Sequence, residues 1–188
     1  KVLGPTHPEV ATSLNNLAAL LRVTGDYAGA RPLYERALTI SEQALGPAHP
    51  DVAQSLNNLA VLYTTTGEYA KAEPLYQRAL MIREQALGPT HPEVATSLNN
   101  LAMLYQDIGQ YAKAEPLHQR TLTIKEQALG PTHPEVATSL NNLASLLFLT
   151  GDSAGAQPLY ERALMIREQA LGPAHPDVAT SLNNLAML

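Results

Sequence analysis

Two short motifs supply most of the side chains that could bind a metal ion or a ligand. His-Pro occurs five times, beginning at His7, His49, His91, His133 and His175, and an Asn-Asn pair occurs equally often. Imidazole nitrogens bind transition metals. Carboxamides offer hydrogen-bond donors and an acceptor, which match the backbone of an extended peptide. The two motifs therefore suggest either a metal site or a peptide-binding surface.

The spacing of the histidines argues against the metal site. Successive His-Pro motifs stand 42 residues apart, and equivalent atoms of stacked helical repeats are about 8–10 Å apart. Two imidazoles on one zinc ion must each lie about 2 Å from the metal. We therefore expect no metal and no cofactor, and we assign these histidines to helix capping or loop packing. The sixth histidine, His118, replaces a core aromatic residue and is expected to be packed in the core.

Composition excludes further function classes. The 188 residues include no cysteine, which rules out disulfides and a cysteine nucleophile. A net charge of −5 without a basic run argues against nucleic acid and anionic membranes, and no apolar run is long enough to span a bilayer. Ser13 recurs in every repeat, but no histidine is placed to activate it. We expect a cytoplasmic protein that is not an enzyme and has no nucleic-acid or membrane partner.

The 42-residue period indicates a repeat array, which we treat as a single domain over residues 1–188. The predicted repeats are 3–44, 45–86, 87–128 and 129–170, with a partial repeat at 171–188. The partial repeat keeps the interior sequence without a polar capping face, and the chain does not begin with Met. We therefore expect it to be a fragment of a longer protein.

The sequence predicts two helices in each repeat. Pro8 suits the first position of a helix that runs to about Thr24, and its apolar face is Val10, Leu14, Leu17, Ala18 and Leu21.

The second helix of the repeat begins after Asp26, a plausible N-cap, and runs to about Ala44. Gly46 is expected to end it in the left-handed conformation. Pro32 lies inside this helix, and we predict a tight or slightly kinked first turn there without a break. Because the turn between the helices is short, each pair is antiparallel, and the pairs must stack to bury their apolar faces. The fold class is therefore all-α.

The second helix also carries a family signature. Gly25-x-Tyr27-x-x-Ala30 is followed by Tyr34 and Ala37, and in this respect the chain resembles the tetratricopeptide repeat (TPR) over its whole length. The 42-residue period, Leu-Gly-x-x-His-Pro and Leu-Asn-Asn-Leu-Ala are similar to the kinesin light chain and nephrocystin-3-like subgroup. HEAT and armadillo repeats have a similar period but lack the signature.

This resemblance departs from the family pattern at a few positions. Leu replaces the usual Trp and Ala replaces the Gly of the first helix. The third repeat differs at His118 and Thr121, and the fourth differs at Ser153.

The resemblance implies a solenoid of antiparallel helix hairpins stacked into a right-handed superhelix, with the first helices lining its concave groove. The side of each first helix opposite its apolar face would then face a ligand. We call the side chains expected there the groove residues: Asn16, Asn58, Asn100, Asn142, Asn184, Gln54, Val61, Met103, Arg22, Gln106, Asp107 and Phe148.

The asparagine pairs allow two interpretations. Their carboxamides either bind a peptide backbone or hydrogen-bond between neighbouring repeats. We assign the second asparagine of each pair, such as Asn16, to the groove. We assign the first, such as Asn15, to bonds between repeats.

The leading functional hypothesis is a protein-interaction scaffold that binds an extended peptide or a partner helix. Kinesin light chains bind cargo peptides with acidic flanks, but Arg22 is the only basic groove residue here. The paired lysines of the chaperone-tail clamp are also missing, so we expect a neutral or apolar partner. Two alternatives remain: a regulatory or sensor array attached to an enzymatic domain, and a module that self-assembles end to end through its terminal helices.

Overall fold

The computed structural model describes residues 4–188. Lys1, Val2 and Leu3 lie outside the described residues, and Leu3 opens the first predicted repeat. Residues 4–188 form nine α-helices and no β-strand: α1 Pro8–Val23, α2 Tyr27–Leu45, α3 Pro50–Thr65, α4 Tyr69–Leu87, α5 Pro92–Asp107, α6 Tyr111–Leu129, α7 Pro134–Leu149, α8 Ser153–Leu171 and α9 Pro176–Ala186. None of these helices is long and apolar enough to cross a bilayer.

The chain divides into two compact units, Lys1–Pro89 and Thr90–Leu188. In the first unit α1 packs against α2, α2 against α3, and α3 against α4. In the second unit the contacts run in the same order from α5 to α9. Each unit is therefore built from helix pairs that pack on the next pair, as the period predicts.

The odd-numbered helices all begin in the same way. Proline occupies the first helical position, where its missing N–H needs no partner. The preceding histidine is the N-cap, and its Nδ1 accepts a hydrogen bond from the second helical residue, as His7 does from the Glu9 N–H at 3.2 Å. The same bond forms at His49, His91, His133 and His175. The assignment of these histidines to helix capping is therefore confirmed.

The turn inside each hairpin is a Schellman motif. After α1, the Asp26 N–H donates to the Leu21 carbonyl at 2.8 Å and the Gly25 N–H donates to the Arg22 carbonyl at 3.2 Å. Gly25 has φ +87°. Asp26 is the N-cap of α2, as predicted, and accepts from the Gly29 N–H at 2.9 Å.

The conformation predicted for Gly46 was wrong. Gly46 has φ +86° as expected but ψ +155°, which lies outside the left-handed helical region and is open essentially to glycine alone. The extended ψ turns the chain toward the next His-Pro cap. The left-handed C′ glycine of the repeat is therefore at Gly25.

The prolines inside the second helices do not interrupt them. α2 runs from Tyr27 to Leu45 through Pro32, and α4, α6 and α8 continue in the same way through Pro74, Pro116 and Pro158. The prediction of an unbroken helix is confirmed.

The core of each unit lies between successive helix pairs. In the first unit, Val52 and Leu56 of α3 and Ile82 of α4 are buried together, and Leu38 of α2 packs against them. In the second unit, Leu140 and Ile166 form the equivalent cluster, and Leu122 of α6 packs against it. One hairpin thus completes the core of the next.

Polar contacts join the same neighbours. In the first unit, Nη1 of Arg78 in α4 lies 2.6 Å from Oε1 of Glu42 in α2. In the second unit, Arg162 and Glu126 repeat this ion pair at 2.6 Å. Each arginine also donates to a proline carbonyl in the preceding turn, Pro47 for Arg78 at 3.3 Å. These contacts fix the register of adjacent repeats.

The two glycine conformations of the first repeat predict different costs on substitution. No atom lies within 4 Å of a Cβ added at Gly25 or Gly46, so only backbone strain should matter. Gly25→Ala should lower the free energy of unfolding by roughly 1–2 kcal/mol. Gly46→Ala should cost more, up to about 3 kcal/mol.

Denaturant unfolding of the whole chain measures both. Gly4→Ala is the control, because its added Cβ also meets no neighbour and the residue precedes the first helix. Equal losses at Gly25 and Gly46 would contradict the assigned conformations.

Candidate functional site

The groove residues lie on the sides of the first helices that are not covered by the core. In the first unit, Asn16 and Gln54 are exposed, and Arg22, Asn58 and Val61 are half-buried. In the second unit, Met103 and Asp107 are exposed, and the remaining members are half-buried: Asn100, Gln106, Asn142, Phe148 and Asn184. The residues on the opposite side of α3, such as Leu56, are fully buried.

A polar cavity in the first unit brings three groove residues together. Asn16, Gln54 and Asn58 line a cavity of about 380 Å³ between α1 and α3. Nε2 of Gln54 donates to Oδ1 of Asn58 at 2.8 Å, and Oε1 of Gln54 accepts from Nη2 of Arg83 at 2.7 Å. Both ends of the Gln54 amide are therefore held. Arg83, which the sequence analysis missed, positions Gln54 from α4.

The asparagines of the second unit bond between repeats. Nδ2 of Asn142 donates to Oδ1 of Asn99 at 2.9 Å, and Nδ2 of Asn184 donates to Oδ1 of Asn141 at 2.7 Å. The inter-repeat role assigned to the first asparagine of each pair is confirmed at Asn99 and Asn141. Asn142 and Asn184 also take part in these bonds, so their role is not limited to the groove. These bonds use the Nδ2 atoms of Asn142 and Asn184, so the Oδ1 atoms of the same side chains can still accept hydrogen bonds.

The first unit uses a different bond at the equivalent place. Nδ2 of Asn15 donates to the Ser55 hydroxyl of the next repeat at 3.0 Å. This bond confirms the inter-repeat role of Asn15. Its Oδ1 is shielded from solvent and accepts no hydrogen bond from residues 4–188.

Few charges lie among the groove residues. The chain offers Arg22 on α1 and Asp107 at the end of α5. Desolvation raises the pKa of the Asp107 carboxyl above its ordinary value, although the residue is partly open to solvent. The remaining members are amides or apolar side chains.

The structure gives other roles to the residues that suggested metal or acyl chemistry. Nδ1 of each His-Pro histidine accepts a backbone N–H at a helix start, and residues 4–188 hold no cluster of three or more metal-ligating side chains. The Ser13 hydroxyl donates to the Glu9 carbonyl at 2.9 Å, and Ser139 and Ser181 make the same bond within their own helices.

His118 is packed in the core of the second unit, as predicted. Its side chain is 1% exposed, and burial lowers its pKa from 6.5 to about 4. Tyr34, Tyr76 and Tyr160 occupy the same position in the other repeats and are buried too. His118 is therefore neutral near pH 7.

Comparisons with known proteins agree with this architecture. A family model described as tetratricopeptide repeat matches residues 9–85, 56–127, 93–169 and 135–188. No match is found among curated protein sequences.

Solved structures of kinesin light chain-type proteins are similar to nearly the whole chain. BtubC (BKLC) from P. vanneervenii is 31% identical with a TM-score of 0.85, covering 96% of this chain and 72% of that one. A Podosopora anserina protein with nearly identical TPR-like repeats, named for kinesin light chain, is 28% identical with a TM-score of 0.84, covering 96% and 86%. A variant of that Podosopora anserina protein is 28% identical with a TM-score of 0.85, covering 96% and 85%.

The buried histidine predicts acid-sensitive stability. The unfolded chain binds a proton at His118 below about pH 6.5, whereas the folded chain does so only near pH 4. Stability should therefore fall as the pH drops through this window, by about 2 kcal/mol near pH 5.

His118→Tyr provides the comparison, because the other repeats already accommodate tyrosine there. Denaturant unfolding near pH 7 and pH 5 should show a smaller acid loss for His118→Tyr than for the unaltered chain. Identical losses in the two proteins would show that His118 is not the acid-sensitive group.

Proposed function

Because this chain belongs to the tetratricopeptide repeat family, we propose that it is a protein-interaction scaffold rather than an enzyme. We infer that an extended peptide or a partner helix binds along the groove residues of the first helices. The observation that carries this proposal is the regular placement of carboxamides on the uncovered side of those helices. Asn16 and Asn58 provide them in the first unit, and Asn100 and Asn142 provide them in the second.

The amides are suited to a peptide backbone because the protein holds them in place. Gln54 fixes Asn58, and Asn99 fixes the donor of Asn142. Side chains that are already ordered lose less conformational entropy when a ligand binds. A carboxamide can also accept and donate at once, as the two edges of a peptide group require.

The positions between the amides would select the side chains of the partner. Val61 lies there in the first unit, and Met103 and Phe148 lie there in the second. Methionine adapts its shape to different apolar partners. This composition supports a partner that presents mostly neutral or apolar side chains to these positions.

The proposal predicts loss of binding when the amides are removed. Dodecapeptides selected from a displayed random library on the whole chain serve as the probe. Asn58→Ala together with Asn100→Ala should lower the affinity for the selected peptides by roughly tenfold or more, since each substitution removes hydrogen bonds to the ligand. Isothermal titration calorimetry measures the change.

The matched control replaces two exposed amides of the second helices, Gln43→Ala with Gln127→Ala. This control should bind like the unaltered chain. If the asparagine variant keeps its helical content by circular dichroism and also keeps full affinity, the groove assignment is wrong.

Exposed apolar side chains favour self-association as a second candidate function. Leu17 and Leu20 of α1 are 47% and 59% exposed, and Leu182 of α9 is 50% exposed. Contact between such surfaces of two molecules would remove them from water.

Light scattering over a range of protein concentrations tests self-association. The apparent mass should rise with concentration, and Leu20→Glu should lower it. Ala28→Glu, at an exposed position of α2, should leave it unchanged. A monomer at every concentration would exclude end-to-end assembly.

A further inference from the structure

One position of the second helix carries a cation in every repeat except the first. The residues at this position are Ser41 in α2, Arg83 in α4, Lys125 in α6 and Arg167 in α8. Arg83 and Arg167 are buried, at 2% and 8% exposure. The architecture therefore has a place for a buried guanidinium, and the first repeat leaves that place to a serine.

The second unit shows what the cation contacts. Nη1 of Arg167 donates to the Ser181 hydroxyl at 2.8 Å and to the Asp177 carbonyl at 3.2 Å, both on the following first helix. Lys125 instead places Nζ 3.3 Å from the carboxylate of Glu135, the equivalent of Asp177. The site thus accepts either kind of cation through the same helix start.

The first unit presents the same acceptors without a cation from the chain. Asp51 and Ser55 are the equivalents of Asp177 and Ser181, and both line the 380 Å³ cavity together with Ser41. Ser41 Oγ lies 3.4 Å from Ser55 Oγ. No lysine or arginine among residues 4–188 forms an ion pair with the Asp51 carboxylate. The cavity is therefore the space that an arginine side chain occupies elsewhere in the protein.

The Asn15 amide, which lines this cavity, has different partners from its equivalent in the second unit. In the second unit, Oδ1 of Asn141 accepts from Asn184. In the first unit, Nδ2 of the equivalent Asn15 donates to Ser55, and its buried Oδ1 accepts from no group in the described chain.

We propose that the cavity between α1 and α3 is a binding pocket for an arginine side chain of the partner peptide, taking the place of the arginine that Ser41 replaces. This inference rests on the proposed function and adds a specificity-determining pocket to it. The guanidinium would donate to Ser55 Oγ and to the Asp51 carbonyl, as Arg167 donates to Ser181 and to Asp177. It would also lie beside the Asp51 carboxylate.

The hydrogen-bond inventory favours a guanidinium. Ser55 Oγ can accept from both Asn15 and the ligand while its own proton points to Ser41. Five N–H donors in a planar fork suit several acceptors at one helix start better than an ammonium does. An anion would be repelled by the Asp51 carboxylate. Asn58 Oδ1 and Gln54 Oε1 already accept hydrogen bonds from Gln54 and Arg83. A volume of about 380 Å³ is within the range of ligand pockets, about 300–1,000 Å³.

The first test uses a small probe. N-acetyl-arginine amide is titrated into the whole chain and followed by NMR at the Asn15 and Asn58 side-chain amides. The citrulline analogue has the same shape without the charge and should bind roughly tenfold more weakly or worse. Ser41→Arg should abolish the response, because its own guanidinium fills the pocket.

The second test uses the selected dodecapeptides. Peptides selected on the unaltered chain should be enriched in arginine, and peptides selected on Ser41→Arg should not. Ser41→Arg is expected to fold, since Arg83 and Arg167 occupy the same position. Gln43→Ala, at an exposed position of the same helix, is the matched control and should retain arginine binding.

The outcomes separate this pocket from the proposed function. If peptides bind and depend on Asn58 and Asn100 but show no arginine preference, the pocket is wrong and the scaffold function stands. If the arginine and citrulline probes shift Asn15 equally, or if Ser41→Arg still responds to arginine, the pocket is also wrong. An arginine probe that binds while no peptide does would assign the pocket to free arginine, which contradicts the peptide source stated here.

Discussion

Burial between neighbouring hairpins is the constraint on which the rest of the structure depends. Leu17 and Leu20 in α1 are 47% and 59% exposed, whereas the equivalent Leu59 and Leu62 in α3 are 4% and 0% exposed. The sequence around them is nearly the same, and the difference is that α3 has a preceding helix pair to pack against. Full burial of a leucine contributes about 1.5–3 kcal/mol. A hairpin gains this stability only from its neighbours.

The same stacking places polar side chains at equal intervals. Within each unit one hairpin meets the next in the same register. The same residue pattern therefore produces the same contact in both units, as in the ion pairs of Arg78 with Glu42 and Arg162 with Glu126. The bonds between asparagines of neighbouring repeats recur for the same reason. Regular spacing also makes a departure from the pattern informative: a cavity lies beside Ser41, whereas Arg83 and Arg167 are buried at the equivalent position.

The sequence predicted the local features well. Pro8, His7 and Asp26 act within a few residues of their partners, and such capping follows from residue type and position. The conformation of Gly46 was harder to predict, because its ψ depends on the direction in which the next hairpin begins.

Partners between repeats could not be predicted from one helix at a time. The Asn142–Asn99 bond joins residues in different repeats, and whether an amide turns its oxygen or its nitrogen toward a neighbour depends on the groups around it. Ser41 and Arg167, which occupy the same position of the second helix, are another example. A comparison of this position across repeats could have shown that the first lacks a cation, but not that a cavity results. That Asn58 is half-buried and Arg83 is buried could also be learned only from the packed structure.

The central claim is that a peptide binds to the asparagine-bearing side of the first helices. NMR of the side-chain amides during titration of a selected dodecapeptide tests it most directly, because the amides of the first and second helices report separately. We predict shifts at Asn16, Asn58, Asn100 and Asn142. The exposed amides of the second helices are those of Gln43, Gln85, Gln127 and Gln169. Shifts confined to these glutamines, with the asparagine signals unmoved, would contradict the account.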